Sequence, residues 1–217
     1  MIRIVVADDH HLVRESIVSL IEKWEELEVV GEAADGLETL KLVRKKRPDV
    51  AIVDIAMPLM NGIEATRQID SLDVETSVVI LSMHSDEGVV RQSLRSGAKG
   101  YLLKNSVPEE LLIAIRSVSK GETYLSPPIA QTVLSEYLRT DSANASSTII
   151  GRLSSREREI VQMIAEGRTN KAVAEILNIS TKTVEKHRAT LMRKLKVRSL
   201  PELILIAAKH QLAFLDD

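Results

Sequence analysis

Along the first half of the chain, short apolar runs rich in β-branched residues alternate with longer stretches in which apolar residues return every three or four positions. The runs are residues 2–7, 28–33, 49–55, 77–82 and 100–104. Each is continuously apolar rather than alternating, the pattern of a parallel strand covered on both faces. The stretches between them, 11–23, 37–46, 62–71, 86–96 and 107–119, have helical period, with Gly36, Gly62 and Gly97 punctuating their ends. Five strand–helix units in about 120 residues predict an α/β fold, a doubly wound five-stranded parallel sheet of the flavodoxin-like kind. Ligands of such sheets sit at the carboxyl ends of the strands.

The second half has helical period throughout. Ser154-Ser155-Arg156-Glu157 reads as a capping box opening a helix over 155–166 that Gly167 closes. A short helix over 170–177 follows, carrying the small Ala174, and then a turn at Asn178, a residue that tolerates the left-handed conformation. Ser180 caps a third helix from Thr181 to Lys196, and Ser199 caps a fourth. On the third helix Val184, Leu191 and Leu195 share one face, while Lys182, Glu185, Lys186, Ala189 and Arg193 share the opposite one. A charged outer face on an isolated helix is ordinarily just solvated. Here a short helix, a tight turn and a basic helix follow one another, so the all-α four-helix half is predicted to be a helix-turn-helix domain whose third helix enters a major groove. Its long cations suit phosphates and guanine edges, its carboxylate can accept from cytosine, and the Ala189 methyl permits close approach.

Charge sharpens this division. The 217 residues carry a formal net charge of −2. Residues 1–148 hold 16 Lys and Arg against 23 Asp and Glu, or −7, and residues 149–217 hold 13 against 8, or +5. Between the halves, Thr140 to Thr148 is a run of small polar residues with the composition of a flexible linker. The predicted domains are therefore 1–120, a linker at 121–148 and 149–217; Pro127-Pro128 before an apolar-periodic run predicts that part of the linker is helical. Cysteine is absent, which excludes disulfide frameworks and thiolate metal sites. Aromatic residues make up only 2% of the chain, which disfavours readers of single-stranded nucleic acid that stack bases on aromatic rings. The apolar run at the N-terminus is too short for a signal peptide or a membrane span, so a cytoplasmic location is expected.

Taken in order, the strand ends carry Asp8 and Asp9, then Asp54, Ser82 and Lys104. Three carboxylates gathered on one rim repel one another unless a cation neutralises them, and an all-oxygen site with few protein ligands suits Mg²⁺. With charge drawn from a phosphoryl group by Mg²⁺ and Lys104, one carboxylate can serve as a nucleophile and become an acyl phosphate.

These residues make the first 120 positions resemble the receiver domain of two-component response regulators: the pair Asp8-Asp9, Asp54 in Asp54-Ile55-Ala56-Met57-Pro58 followed by Gly62, Ser82 in Leu81-Ser82-Met83-His84, and Lys104 in Tyr101-Leu102-Leu103-Lys104. The resemblance implies that Asp54 accepts a phosphoryl group from a sensor histidine kinase. It implies that Asp9, Asp54 and the backbone carbonyl of Ala56 bind Mg²⁺, with Asp8 acting through water. Ser82 and Lys104 would hold phosphoryl oxygens, and Tyr101 matches the family's switch aromatic. Asn105 stands where many receivers have proline, so no cis-proline is implied. Ala56 and His84 occupy positions that tune dephosphorylation in the family.

Residues 149–217 resemble the LuxR-type helix-turn-helix, carried by Leu153 to Glu159, Glu166 to Lys171, Ile179 to His187 and Arg193 to Ser199. By that resemblance Thr183, Glu185, Lys186, Ala189 and Arg193 lie at double-stranded DNA. Lys182, His187 and Arg188 would reach phosphates at the groove edge, although His187 can equally be a packed residue. The last helix of the family contributes to dimerisation. Leu200, Leu203, Ile204 and Ala207 form one stripe on it, and Leu205 and Ala208, lying off that stripe, fit a partner helix.

The whole chain thus resembles NarL/FixJ-type response regulators. The expected function is that of a transcription factor switched by phosphorylation of Asp54, binding DNA as a homodimer, with no enzymatic activity beyond its own phosphorylation and dephosphorylation. An aspartate-nucleophile phosphatase is the weaker alternative, because such enzymes carry a second aspartate two residues after the nucleophile, where this chain has Ala56. An orphan regulator controlled by a protein partner without phosphate is the other.

Overall fold

The computed structural model describes residues 1–106, 108–140, 153–197, 199–210 and 212, the side chains of 136–140 excepted. The chain divides into two compact units, one holding all the described strands, the other the last four helices.

In the first unit, strands β1 (Ile2–Ala7), β2 (Leu27–Ala33), β3 (Val50–Asp54), β4 (Ser77–Ser82), β5 (Gly100–Leu103) and β6 (Tyr124–Leu125) form one sheet in the order β2-β1-β3-β4-β5-β6. Every pair is parallel. Helices α1 (His11–Ile21), α2 (Gly36–Lys46), α3 (Gly62–Asp70), α4 (Glu87–Arg95) and α5 (Pro108–Val118) follow the first five strands in turn. Ile4, Val6, Ile52, Val79, Leu81 and Leu102 form one buried layer with Ile17 and Ile21 of α1 and Leu111, Ile115 and Val118 of α5. The alternate strand residues Val5, Ala51, Val53, Ile80 and Tyr101 are buried too. Both faces being covered explains why the runs are continuously apolar.

The predicted five-stranded sheet has a sixth strand. Tyr124 N donates to the Lys99 carbonyl (2.9 Å) and Ser126 N to that of Tyr101 (3.0 Å), so Tyr124–Leu125 extends the edge beyond β5. Two residues are too few to carry a hydrophobic period, and the pairing is visible only once β5 is in place. Pro127 and Pro128 then open α6 (Pro127–Thr140), the helix expected from the proline pair; it packs against α4 and buries Ile129. The polar run expected as a linker lies, beyond the backbone of Thr140, outside the described residues.

The second unit consists of α7 (Ser155–Ala165), α8 (Asn170–Ile176), α9 (Thr181–Leu195) and α10 (Leu200–Lys209), packed around Ile160, Val161, Val173, Val184, Leu191, Leu195, Leu203 and Ala207. The expected caps are present. Ser154 and Glu157 form the capping box, and Ser180 Oγ and Ser199 Oγ accept from Thr183 N and Glu202 N. Asn178 has φ 50° in the turn between α8 and α9. Among the described residues no helix is long and apolar enough to cross a membrane.

Candidate functional site

The carboxyl ends of β1, β3, β4 and β5 deliver Asp8, Asp54, Ser82 and Lys104 to one rim of the sheet. Asp8, Asp54 and Ser82 are buried, and the Lys104 side chain is 13% exposed. Lys104 Nζ lies 2.8 Å from Asp8 Oδ2 and 3.0 Å from Asp54 Oδ2, bridging the two carboxylates. Burial pushes the Asp54 carboxyl up; Lys104 pulls it down, the Asp8 charge adds to the rise, and its pKa ends above the usual aspartate range. Burial works against the charged form of Lys104, but hydrogen bonds and charge from Asp8 and Asp54 outweigh it and raise its pKa. The lysine therefore stays cationic while the buried carboxylate is held at an energetic cost.

Asp8, Asp9, His10 and Asp54 each bring one potential ligand atom within 4.8 Å of the others, a group that could hold a metal ion. Asp9 Oδ1 is buried and, among the described residues, meets no donor in hydrogen-bond geometry, while the buried Asp8 Oδ2 and Asp54 Oδ2 share the single Lys104 ammonium. Buried oxygens left in this state are what a hard divalent cation needs, so these residues fit Mg²⁺. Ala56, two residues past Asp54, lies half-buried in the loop that follows β3.

Two neighbours hold Asp54 and the Asp8–Asp9 loop in place. A Cβ on Gly62 would fall 2.0 Å from the Asp54 carbonyl oxygen, so only glycine lets the start of α3 approach the end of β3 this closely. Gly62 N also donates to the Ile55 carbonyl (2.9 Å). Arg14 Nη1 donates to the Asp8 carbonyl (2.6 Å), and its Nε pairs with Glu32 (3.2 Å) at the end of β2. The reading of the sequence missed Arg14 and His10. The signal for Arg14 was a guanidinium on the inward stripe of α1, at helical spacing from Ile17 and Ile21.

Tyr101 lies inside, fully buried, and its hydroxyl donates to the His84 carbonyl (2.7 Å). Burial pushes the phenol well above its ordinary pKa, with a hydrogen bond from Ser82 opposing the rise. Ser82 Oγ accepts from His84 N (3.1 Å). Asp54, Ser82, Lys104 and Tyr101 are thus brought together at the end of the sheet. The His84 side chain is partly exposed, with Nδ1 3.9 Å from Asp86.

In the helical unit, α9 buries Val184, Leu191 and Leu195 and exposes Lys182, Glu185, Lys186, Ala189 and Arg193, as its spacing predicts. Thr183, His187 and Arg188 are half-buried along its edges, Thr183 within the Ser180 cap. Lys194 turns the other way. Its Nζ lies 2.7 Å and 2.8 Å from the two oxygens of Glu157 on α7, a pair that the reading of the sequence missed because the partners stand far apart along the chain. On α10, Leu203 and Ala207 face inward, Leu200 and Ile204 pack against that core, Leu205 is 69% exposed and Ala208 half-buried.

Comparison with known proteins follows the same division. Residues 4–116 match the model of the response regulator receiver domain, and residues 151–207 match that of the bacterial regulatory proteins of the luxR family. The oxygen regulatory protein NreC of Staphylococcus epidermidis is 43% identical over 97% of this chain and 98% of its own length. NreC of Staphylococcus carnosus is 41% identical over 97% and 98%. Among solved structures, a two-component response regulator of the LuxR family from Aurantimonas sp. matches 64% of this chain and 99% of its own, at 38% identity and TM-score 0.61. The response regulator RcsB in complex with DNA matches 95% and 98% at 26% identity and TM-score 0.59.

Proposed function

Because this chain belongs to the two-component response regulators that join a receiver domain to a LuxR-type DNA-binding domain, we propose that it is a transcription factor switched by phosphorylation of Asp54. The observation that carries this reading is the single Lys104 ammonium bridging the buried Asp8 and Asp54 carboxylates, with the buried Asp9 Oδ1 beside them lacking, among the described residues, a donor in hydrogen-bond geometry. Such a pocket has little use in a structural role, since it costs stability without a ligand. An Asp54 oxygen attacks the phosphorus of a phosphohistidine on a sensor kinase; the P–N bond breaks, the imidazole leaves, and an acyl phosphate remains on Asp54. Asp9, Asp54 and the Ala56 carbonyl would hold Mg²⁺, with Asp8 acting through water, and the ion would draw negative charge off the phosphoryl oxygens. Lys104 pairs with one phosphoryl oxygen and the Ser82 hydroxyl donates to another, while Tyr101 stays packed behind Ser82.

The readout is DNA. Lys182, Lys186, Arg188 and Arg193 contact phosphates and base edges, Glu185 and Ala189 meet the bases, and Thr183 and His187 lie at the groove edge. Leu205 and Ala208 join two copies through α10, and phosphorylation favours the dimer on DNA. The protein works in the cytoplasm and catalyses nothing beyond its own phosphorylation and dephosphorylation.

The test combines acetyl phosphate and Mg²⁺ with mass spectrometry and gel-shift titration. The wild-type chain gains one phosphoryl group and binds DNA more tightly, whereas Asp54→Ala does neither. Identical gel-shift curves with and without the phosphodonor would favour an orphan regulator. Steady turnover of a phosphate ester at more than one per phosphorylation event would favour a phosphatase.

A further inference from the structure

His10 stands in the carboxylate pocket but has no part in its expected chemistry. It precedes α1 as the N-cap, yet its side chain makes no capping hydrogen bond, so the helix does not need the imidazole. Its backbone N–H donates to Asp8 Oδ1 (2.9 Å), fixing the residue at the mouth of the pocket. Its ring Nδ1 lies 2.9 Å from Asp9 Oδ1 and 3.3 Å from Asp8 Oδ1. Ligand bonds of about 2.1 Å meeting at right angles put neighbouring ligands about 3.0 Å apart. His10 Nδ1 and Asp9 Oδ1 are therefore spaced like adjacent ligands of one octahedral ion, and Asp54 brings a further ligand atom within 4.8 Å. Asp9 Oδ1 receives no hydrogen bond of good geometry despite the short approach of Nδ1, as when two atoms face a common third point rather than each other. Behind them, Asp8 Oδ2 and Asp54 Oδ2 are buried and share the one Lys104 ammonium.

We propose that His10 Nδ1 is a protein ligand of this pocket and fits it for a borderline first-row divalent cation, of the Co²⁺ or Zn²⁺ class, as well as for Mg²⁺. The inference rests on the reading of the pocket as a divalent-cation site and says which ions it takes. Imidazole nitrogen suits borderline ions, whereas Mg²⁺ prefers oxygen and keeps its waters. His10 therefore separates the two classes: a borderline ion gains a nitrogen ligand, and Mg²⁺ leaves the imidazole aside. The neighbouring His11 serves as a control, since it is equally exposed but its Nδ1 pairs with Glu15 (3.3 Å) outside the pocket.

The test is titration of the full chain with Co²⁺ and, separately, with Mg²⁺, followed by calorimetry and, for Co²⁺, by its visible absorption. His10→Ala is expected to weaken Co²⁺ by about tenfold or more, at least the loss usual for removing a partner that only orients a ligand. Mg²⁺ affinity should change by less than about twofold, because an ion that prefers oxygen does not use the ring. His11→Ala should leave both ions unaffected, and Asp9→Asn should weaken both. Equal Co²⁺ affinity in wild type and His10→Ala would overturn the proposal. So would Co²⁺ binding that survives Asp9→Asn, or a loss of Mg²⁺ affinity as large as that of Co²⁺ in His10→Ala, which would mean that the ring only orders the loop. Mg²⁺-dependent phosphorylation of Asp54 can succeed whatever these titrations give, so failure here and failure of the phosphorylation reading are separate results.

Discussion

Asp54 illustrates how one residue is held against its own stability. Its pKa is raised chiefly by burial, so across the interval between the ordinary aspartate pKa and the raised one the folded chain binds more protons than the unfolded one. A group raised in this way makes stability fall as pH rises through that interval. Asp54→Asn removes the buried charge while Lys104 keeps Asp8 as its partner. In the presence of a chelator at neutral pH the variant should be more stable than wild type, by a gain on the order of 1 kcal/mol, the usual scale for a single substitution. The advantage should shrink on acidification, and a thermal unfolding series against pH checks both. At this scale the candidate site was legible where chemistry stands in a short motif, as with Asp8-Asp9 or Tyr101 to Lys104. Arg14 and His10 went unread because their roles depend on what the fold sets beside them, the Asp8 carbonyl for one and the ring of carboxylates for the other.

At the scale of elements, the start of α7 is the best-defined joint of the helical unit. Ser154 Oγ accepts from Glu157 N (3.3 Å), Glu157 Oε2 accepts from Ser154 N (2.9 Å), and the same carboxylate takes Lys194 of α9. Burial pushes Glu157 up, but Lys194 and the two Ser154 hydrogen bonds outweigh it, and its pKa is lowered. A lowered carboxyl contributes stability that is present above its unfolded pKa, about 4.3, and lost as pH falls through the folded value. Ser154→Ala should destabilise the helical unit by about 1 kcal/mol at neutral pH. Amide hydrogen exchange over α7 checks this, with faster exchange expected in the variant; unchanged protection would show that the cap contributes nothing. The capping box itself was readable because it is local, four residues that satisfy one another. The tie to Lys194 and the two-residue β6 were not, because each is made of partners that only the folded chain brings together.

For the whole molecule, the net charge of −2 conceals an acidic half at −7 (16 basic, 23 acidic residues) and a basic half at +5 (13 basic, 8 acidic). If α9 meets phosphates as proposed, log affinity for DNA falls linearly with log salt, and each cation removed from a phosphate makes the slope shallower by about 0.9. Lys186→Ala should do this while weakening binding to all sequences alike, and fluorescence anisotropy from low to moderate salt measures it. An unchanged slope would remove Lys186 from the interface. The sequence by itself determined the two-part division, the parallel sheet with its strand ends, the buried and exposed faces of α9 and the helix caps. All of these follow from periodicity, charge and hydrogen bonds between near neighbours along the chain. Tertiary structure alone decided that β6 extends the sheet, that Gly62 must be free of a Cβ for α3 to meet Asp54, that Lys104 spans two carboxylates, and that His10 faces them. Those facts depend on distances between residues far apart in the chain or on ring orientation, and a linear pattern holds no record of either.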